Sequence, residues 1–130
     1  MATTSIPDSV SGYFAALRDN DADAFASVFA PDGVSNDPAG SDPLVGRTAI
    51  HDMLADFLPT WGRFDGITED ETFVSGNAVS VRWTGHGVSA SGSSVDWTGI
   101  NTFFLDDDAL IETLYAVFNA DDMNRQLAAA

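Results

Sequence analysis

The sequence predicts an α+β fold: three N-terminal helices packed on a strongly curved, mostly antiparallel sheet. Two observations carry that expectation. Apolar residues recur at helical spacing as far as Leu58, and from Phe64 onward they alternate at strand spacing. A bent sheet covered by helices on one face leaves a cone-shaped cavity, open at one end, where a small ligand can bind.

Each element follows from local pattern. Val10, Tyr13, Phe14 and Leu17 define a helix from about Asp8 to Asp19, with Asp8 and Ser9 available as caps. Asp21 caps a second helix, Ala22 to Phe29, which presents Phe25, Val28 and Phe29, and Pro31-Asp32-Gly33 stops it. Val34 and Ser35 form a short strand. A third helix runs from Arg47 to about Leu58, with Ile50, Met53, Leu54, Phe57 and Leu58 on one side, and Pro59 ends it. Phe64 to Val74 leads to a turn at Ser75-Gly76-Asn77. Val79, Val81 and Trp83 then alternate with Ser80, Arg82 and Thr84 as a half-buried strand. Gly85 to Ser94 extends two long strands through a hairpin. Val95, Trp97, Asn101, Phe103 and Leu105 share one parity, with Gly99 as a possible kink. After the turn at Asp106-Asp107-Asp108, a last strand runs from about Leu110 to Phe118. The tail from Asn119 to Ala130 is expected to fray. The 130 residues fit one domain, 1-130, with no internal repeat.

Composition narrows the function classes. Twenty acidic residues face five arginines, with no lysine, for a formal charge of −15. Phosphate recognition needs a basic patch, so nucleic acid, anionic membranes and highly charged substrates are disfavoured. A small, neutral, hydrophobic ligand fits better. The acidity itself speaks to solubility and source more than to function. There is no cysteine, hence no disulfide or thiolate chemistry. No apolar run is long enough to span a bilayer, and the first residues lack a basic n-region, which predicts a cytoplasmic setting.

Asn36-Asp37-Pro38-Ala39-Gly40-Ser41-Asp42-Pro43-Leu44-Val45-Gly46 reads as a rigid hook. The prolines fix their own φ and bias Asp37 and Asp42 away from helix, while Gly40 and Gly46 permit the turns. A carboxylate there either initiates a turn or, held over an aromatic core, accepts a proton.

Tyr13-Phe14-Ala15-Ala16-Leu17, Asp21-Ala22-Asp23-Ala24-Phe25, Val28-Phe29-Ala30-Pro31-Asp32-Gly33-Val34 and Asn36-Asp37-Pro38-Ala39-Gly40 resemble the front half of bacterial ketosteroid isomerases, within the NTF2-like (SnoaL-like) superfamily of cone-shaped α+β barrels. The likeness continues through Gly46-Arg47 and Ile50, and resumes at Gly99-Ile100-Asn101-Thr102-Phe103 and Leu114-Tyr115-Ala116-Val117-Phe118. It is poor from Trp61 to Asp96. The resemblance implies that Asp37 is a general base and that Tyr13 and Asn101 hold the substrate oxygen. Phe118 falls on a pocket aromatic. Asn36 replaces an acidic residue, Asn101 replaces a protonated aspartic acid, and Phe29 and Leu54 stand where tyrosines often extend the network. Phe29, Leu54, Leu58, Trp97, Phe103, Ala116 and Phe118 are the expected substrate-binding wall. No cofactor is implied, and homodimerisation through the exposed sheet face is expected, with Trp83 as a possible anchor.

Read without the resemblance, Tyr13 is at core spacing, and Asn101 points an amide into an apolar interior where it needs a partner or a ligand. His51 faces solvent, and His86 within Gly85-His86-Gly87 can reach a cavity mouth. No metal-ligand spacing occurs, no Ser-His-Asp set suggests itself, and the glycine pair is no phosphate loop. Three functions remain open: an isomerase acting on a hydrophobic carbonyl ligand such as a steroid or polyketide-like enone, a non-catalytic binding protein, and a hydratase, dehydratase or cyclase. The last needs a group such as His86 or Asp96 opposite Asp37.

Overall fold

The computed structural model describes residues 6–128. Helices α1 (Asp8–Asp19) and α2 (Ala22–Ser27) lead into strands β1 (Phe29–Asn36) and β2 (Leu44–Val45), then α3 (Arg47–Phe57) and a single 3₁₀ turn at Leu58–Thr60. Four long strands follow: β3 (Trp61–Ser75), β4 (Ala78–Ser89), β5 (Ser94–Leu105) and β6 (Ile111–Phe118), closed by helix α4 (Ala120–Ala128). They form one open six-stranded sheet in the order β2-β1-β6-β5-β4-β3, antiparallel except where β1 runs parallel to β6. This is the expected α+β plan, with a curved sheet that does not close into a complete barrel.

Curvature has local causes. The β3–β4 pairing shifts register at Trp61/Arg63, Phe64/Gly66 and Glu69/Glu71, and each bulge bends and twists the ribbon. Gly66 sits at φ 93°, and a Cβ there would lie 2.6 Å from the Arg18 backbone. Glycine therefore lets α1 dock directly on β3, where Arg18 Nη1 donates to Ile67 O at 2.8 Å.

Three glycines on the concave face are cradles for indoles. A Cβ at Gly99 would lie 2.5 Å from Trp83, at Gly85 2.4 Å from Trp97, and at Gly87 2.6 Å from Trp61. Gly99 pairs with Trp83 and Gly85 with Trp97 across β4 and β5. The rings thus lie over bare backbone and their bulk enters the cup. Gly85→Ala is expected to lower stability by about 1–3 kcal/mol, the usual cost of overpacking, readable as a shift in the urea midpoint.

Several sequence expectations are corrected. α1 begins after Pro7 with no side-chain cap, so neither Asp8 nor Ser9 caps it, whereas Asp21 does cap α2, accepting from Ala24 N at 3.0 Å. α2 ends at Ser27, and Phe29 already belongs to β1, where it pairs with Ile111. Pro31-Asp32-Gly33 is a bulge in that strand, because the register to β6 jumps between Phe29 and Val34. The tail does not fray over Ala120–Ala128. There it is helical, with Met123 buried and Gln126 clasping the Asp96 backbone through Asp96 N→Oε1 (3.0 Å) and Nε2→Asp96 O (2.8 Å). Those bonds satisfy β5 beyond Phe118, where β6 has ended.

Among the described residues, no helix is long and apolar enough to cross a membrane.

Candidate functional site

The hook fixes Asp37 from both sides. Asn36 Nδ2 donates to Leu114 O (3.1 Å), and Ala39 N donates to Ala116 O (2.7 Å), so the loop is tied to β6 immediately before and after the carboxylate. Ser41 closes the turn on Pro38 O through its backbone N–H (3.1 Å) and hydroxyl (2.6 Å). The Asp37–Pro38 peptide is cis.

Asp37 lines a mainly apolar cavity of about 200 Å³ shared with Tyr13, Asn101, Leu54, Trp97, Ala116 and Phe118. Among the described residues its carboxylate has no hydrogen-bond or ion-pair partner, and burial pushes its pKa up to about 6. Within the same lining three side chains form a chain of hydrogen bonds. Trp83 Nε1 donates to Asn101 Oδ1 at 2.9 Å, and Asn101 Nδ2 donates to Tyr13 Oη at 3.3 Å. Tyr13 and Asn101 are 2% and 1% exposed. Desolvation pushes the Tyr13 pKa well above its usual value, the Asp37 charge raises it further, and the Asn101 bond acts against both. Tyr13 is therefore a neutral donor at ordinary pH. The arrangement can hold a ligand oxygen at one wall and exchange a proton with a carbon facing Asp37.

Of the expected substrate wall, Leu54, Trp97, Ala116 and Phe118 reach the cavity; Phe29, Leu58 and Phe103 do not. Phe29 and Phe103 are fully buried and stand behind Tyr13, with ring centroids 6.2 and 5.0 Å from it. Leu58, in the 3₁₀ turn, packs against the core from its edge. Sequence reasoning missed Leu17, Phe25, Met53, Phe57, Phe64, Ile67, Trp83 and the α4 residues Ala120, Met123 and Asn124. Trp83, considered as an outward-facing dimer anchor, is 2% exposed and forms part of this wall.

The imidazoles lie elsewhere. His51 contacts Asp23 and Asp52, each at 3.0 Å. His86 does not reach the cavity mouth, because its position in β4 alternates with inward-facing Gly85 and Gly87. Its Nδ1 is 2.6 Å from Asp65 Oδ2 and its Nε2 is 3.1 Å from Ser94 Oγ, so a Ser-His-Asp sequence of contacts does occur. It lies on the outer face, where Arg63 also holds both Asp65 oxygens at 2.7 and 3.1 Å. Among the described residues no cluster of His, Asp and Glu can hold a metal.

Helices packed over a curved, mostly antiparallel six-stranded sheet match the NTF2-like class of α+β folds. Residues 10–113 match the SnoaL-like domain family, and the chain belongs to that family. No curated protein matches it in sequence. Among solved structures it is similar to a ketosteroid isomerase-like-fold protein of Catenulispora acidiphila in complex with trimethylamine, with 16% identity, TM-score 0.83, and coverage of 97% of this chain and 96% of that one. It is also similar to TerC co-crystallized with polyporic acid (16% identity, TM-score 0.81, 94% and 97% covered). A third is SalBIII, an epoxide hydrolase/cyclase-like enzyme of pyran ring formation in the polyether salinomycin (19% identity, TM-score 0.76, 88% and 91% covered). Identities this low speak to the fold alone.

Proposed function

We propose that the cavity binds a compact hydrophobic carbonyl compound and moves a proton along it. Asp37 removes a proton α to the carbonyl and returns it at the γ carbon, while Tyr13 and Asn101 donate to the oxygen as it gains charge. One observation carries this reading: a carboxylate without a protein partner shares an apolar cavity with a pair of neutral donors. A half-buried base of raised pKa is reactive near neutral pH, and donors in an apolar site act strongly on developing charge.

Size narrows the ligand. Ligand pockets commonly enclose about 300–1,000 Å³, and an apolar void of about 150 Å³ takes a single benzene. A cavity of about 200 Å³ suits a one- or two-ring enone. A four-ring steroid exceeds that volume. A cyclase or hydratase, as the SalBIII likeness suggests, is supported less well. It asks for a second acid or base, yet Asp37 is the only carboxylate lining the cavity among the described residues, and His86 and Asp96 lie outside it. A ligand-binding protein without turnover uses the same wall.

The test is conversion of a β,γ-unsaturated cyclohexenone to its conjugated isomer, followed by absorbance. The rate is expected to rise with pH through about 6, as the base ionises, and then to level. A rate no faster than buffer, with micromolar binding of 4-nitrophenol, favours the binding protein.

We further propose that the outer sheet face pairs two copies of the chain. Phe73, Ile100 and Val117 are 60%, 47% and 59% exposed there, beside Phe104 and Tyr115. Copies each carrying −15 repel, and contact is least costly across the uncharged centre formed by Ser80, Ile100, Thr102, Phe104, Tyr115 and Val117. Sedimentation should show a dimer that tightens with added salt. Val117→Asp should yield monomer.

A further inference from the structure

We propose that Trp83 is a positioning residue that sets the direction of the hydrogen-bond chain, so that the Tyr13 hydroxyl can donate only into the cavity. The proposal rests on the reading of Tyr13 as a donor to ligand oxygen, and it assigns a role to a side chain from outside the hook and the Tyr13–Asn101 pair.

The argument is one of donor and acceptor counting. An asparagine amide is nearly symmetric in shape, so packing alone does not decide which end faces which wall. An indole N–H decides it, because it donates and never accepts. The Asn101 atom 2.9 Å from Trp83 Nε1 is therefore the carbonyl oxygen. The NH₂ group is then the end that meets Tyr13, at 3.3 Å. An amide NH₂ cannot accept, so the Tyr13 oxygen accepts there, and its single proton must leave in another direction. No protein acceptor engages that proton among the described residues, and Tyr13 lines the cavity. The second N–H of the amide has no protein acceptor among the described residues, and Asn101 lines the cavity.

Trp83 is well fixed for this task. Its ring lies over Gly99, where a Cβ would be 2.5 Å away, and it packs edge-on against Phe118 with centroids 5.7 Å apart. Without the indole N–H the amide is free to turn over. Its carbonyl would then accept from Tyr13, and the tyrosine proton would be withdrawn from the cavity. A change that touches neither Tyr13 nor Asp37 thus weakens the grip on an oxyanion.

The experiment is a double-mutant cycle read by binding of 4-nitrophenol, whose phenolate absorbs in the visible. Trp83→Phe keeps a ring over Gly99 and removes only the donor and part of the area. It is expected to weaken phenolate binding about tenfold, the scale of one good hydrogen bond, and Asn101→Leu to weaken it at least as much. The double variant should bind as Asn101→Leu does, because the indole acts through the amide. Losses that multiply would assign Trp83 a purely packing role and overturn the proposal. A second readout needs neither ligand nor the tryptophan variant. In ¹⁵N-labelled Asn101→Leu, the Trp83 indole N–H resonance should move upfield and exchange faster, while those of Trp61 and Trp97 stay in place. An unmoved Trp83 resonance refutes the wiring. Failure of the unaltered protein to bind 4-nitrophenol counts against the oxyanion reading instead, and the resonance then decides the wiring alone.

Discussion

Asp37→Asn is expected to lower the isomerisation rate by about 10²–10⁴-fold, the usual contribution of a positioned general base. Asparagine has nearly the same shape, so 4-nitrophenol should still bind. Loss of binding together with rate would mean that the hook had moved. The same substitution should affect stability in the opposite sense. The folded protein holds the Asp37 pKa at about 6, above the ordinary carboxylate value of 3.8. Between those values the native state binds more protons than the unfolded chain, so stability falls as pH rises through that window. Below pH 4 both states are protonated and the residue is neutral in its effect. Above pH 6 the native carboxylate is ionised without a partner, and replacing it removes that cost. Asp37→Asn should therefore melt higher than the unaltered protein at pH 7.5, with the difference vanishing near pH 4. A functional group held at the expense of stability behaves in this way. A variant that loses rate without gaining stability at pH 7.5 would place Asp37 in a wetter site than its surroundings indicate.

Much of this site was legible because strands alternate. Asn101 shares parity with Val95, Trp97, Phe103 and Leu105, and all five point inward. By the same rule Trp83 follows Val79 and Val81 inward, so its direction was readable from the sequence; treating it as an outward anchor set that pattern aside. Its partner was not readable. The bond to Asn101 depends on the register of β4 on β5, which places Val81 opposite Asn101 and Trp83 opposite Gly99. Register also hid the contacts among Asp65, His86 and Ser94, which come from three different strands. Helix α4 was lost for another reason. Its composition is polar and alanine-rich, and only Met123 and Leu127, four apart, hint at an apolar side. It is held by tertiary contacts that no local pattern announces, above all the Gln126 clasp on Asp96.

Parity assigns a face and says nothing of depth, and Phe103 shows the consequence. Expected in the ligand wall, it lies one layer behind, 0% exposed, edge-on to Tyr13 and to Phe14 at centroid distances of 5.0 and 5.9 Å. Phe103→Ala should therefore cost about 3–5 kcal/mol of stability, the range for emptying a phenylalanine site in a close-packed core. Denaturant unfolding would measure it as a lowered midpoint at unchanged slope. The milder Phe103→Leu separates support from contact. Leucine fills most of the volume, so the fold should survive with a smaller loss, and an apolar ligand touching only Leu54, Trp97 and Phe118 should bind as before. The affinity for 4-nitrophenol should nevertheless fall, because Tyr13 loses the edge that holds its ring against Asn101. If Phe103→Leu instead weakened apolar and phenolic ligands equally, Phe103 would be part of the wall, and the depth assigned to it from its contacts with Tyr13 and Phe14 would be wrong.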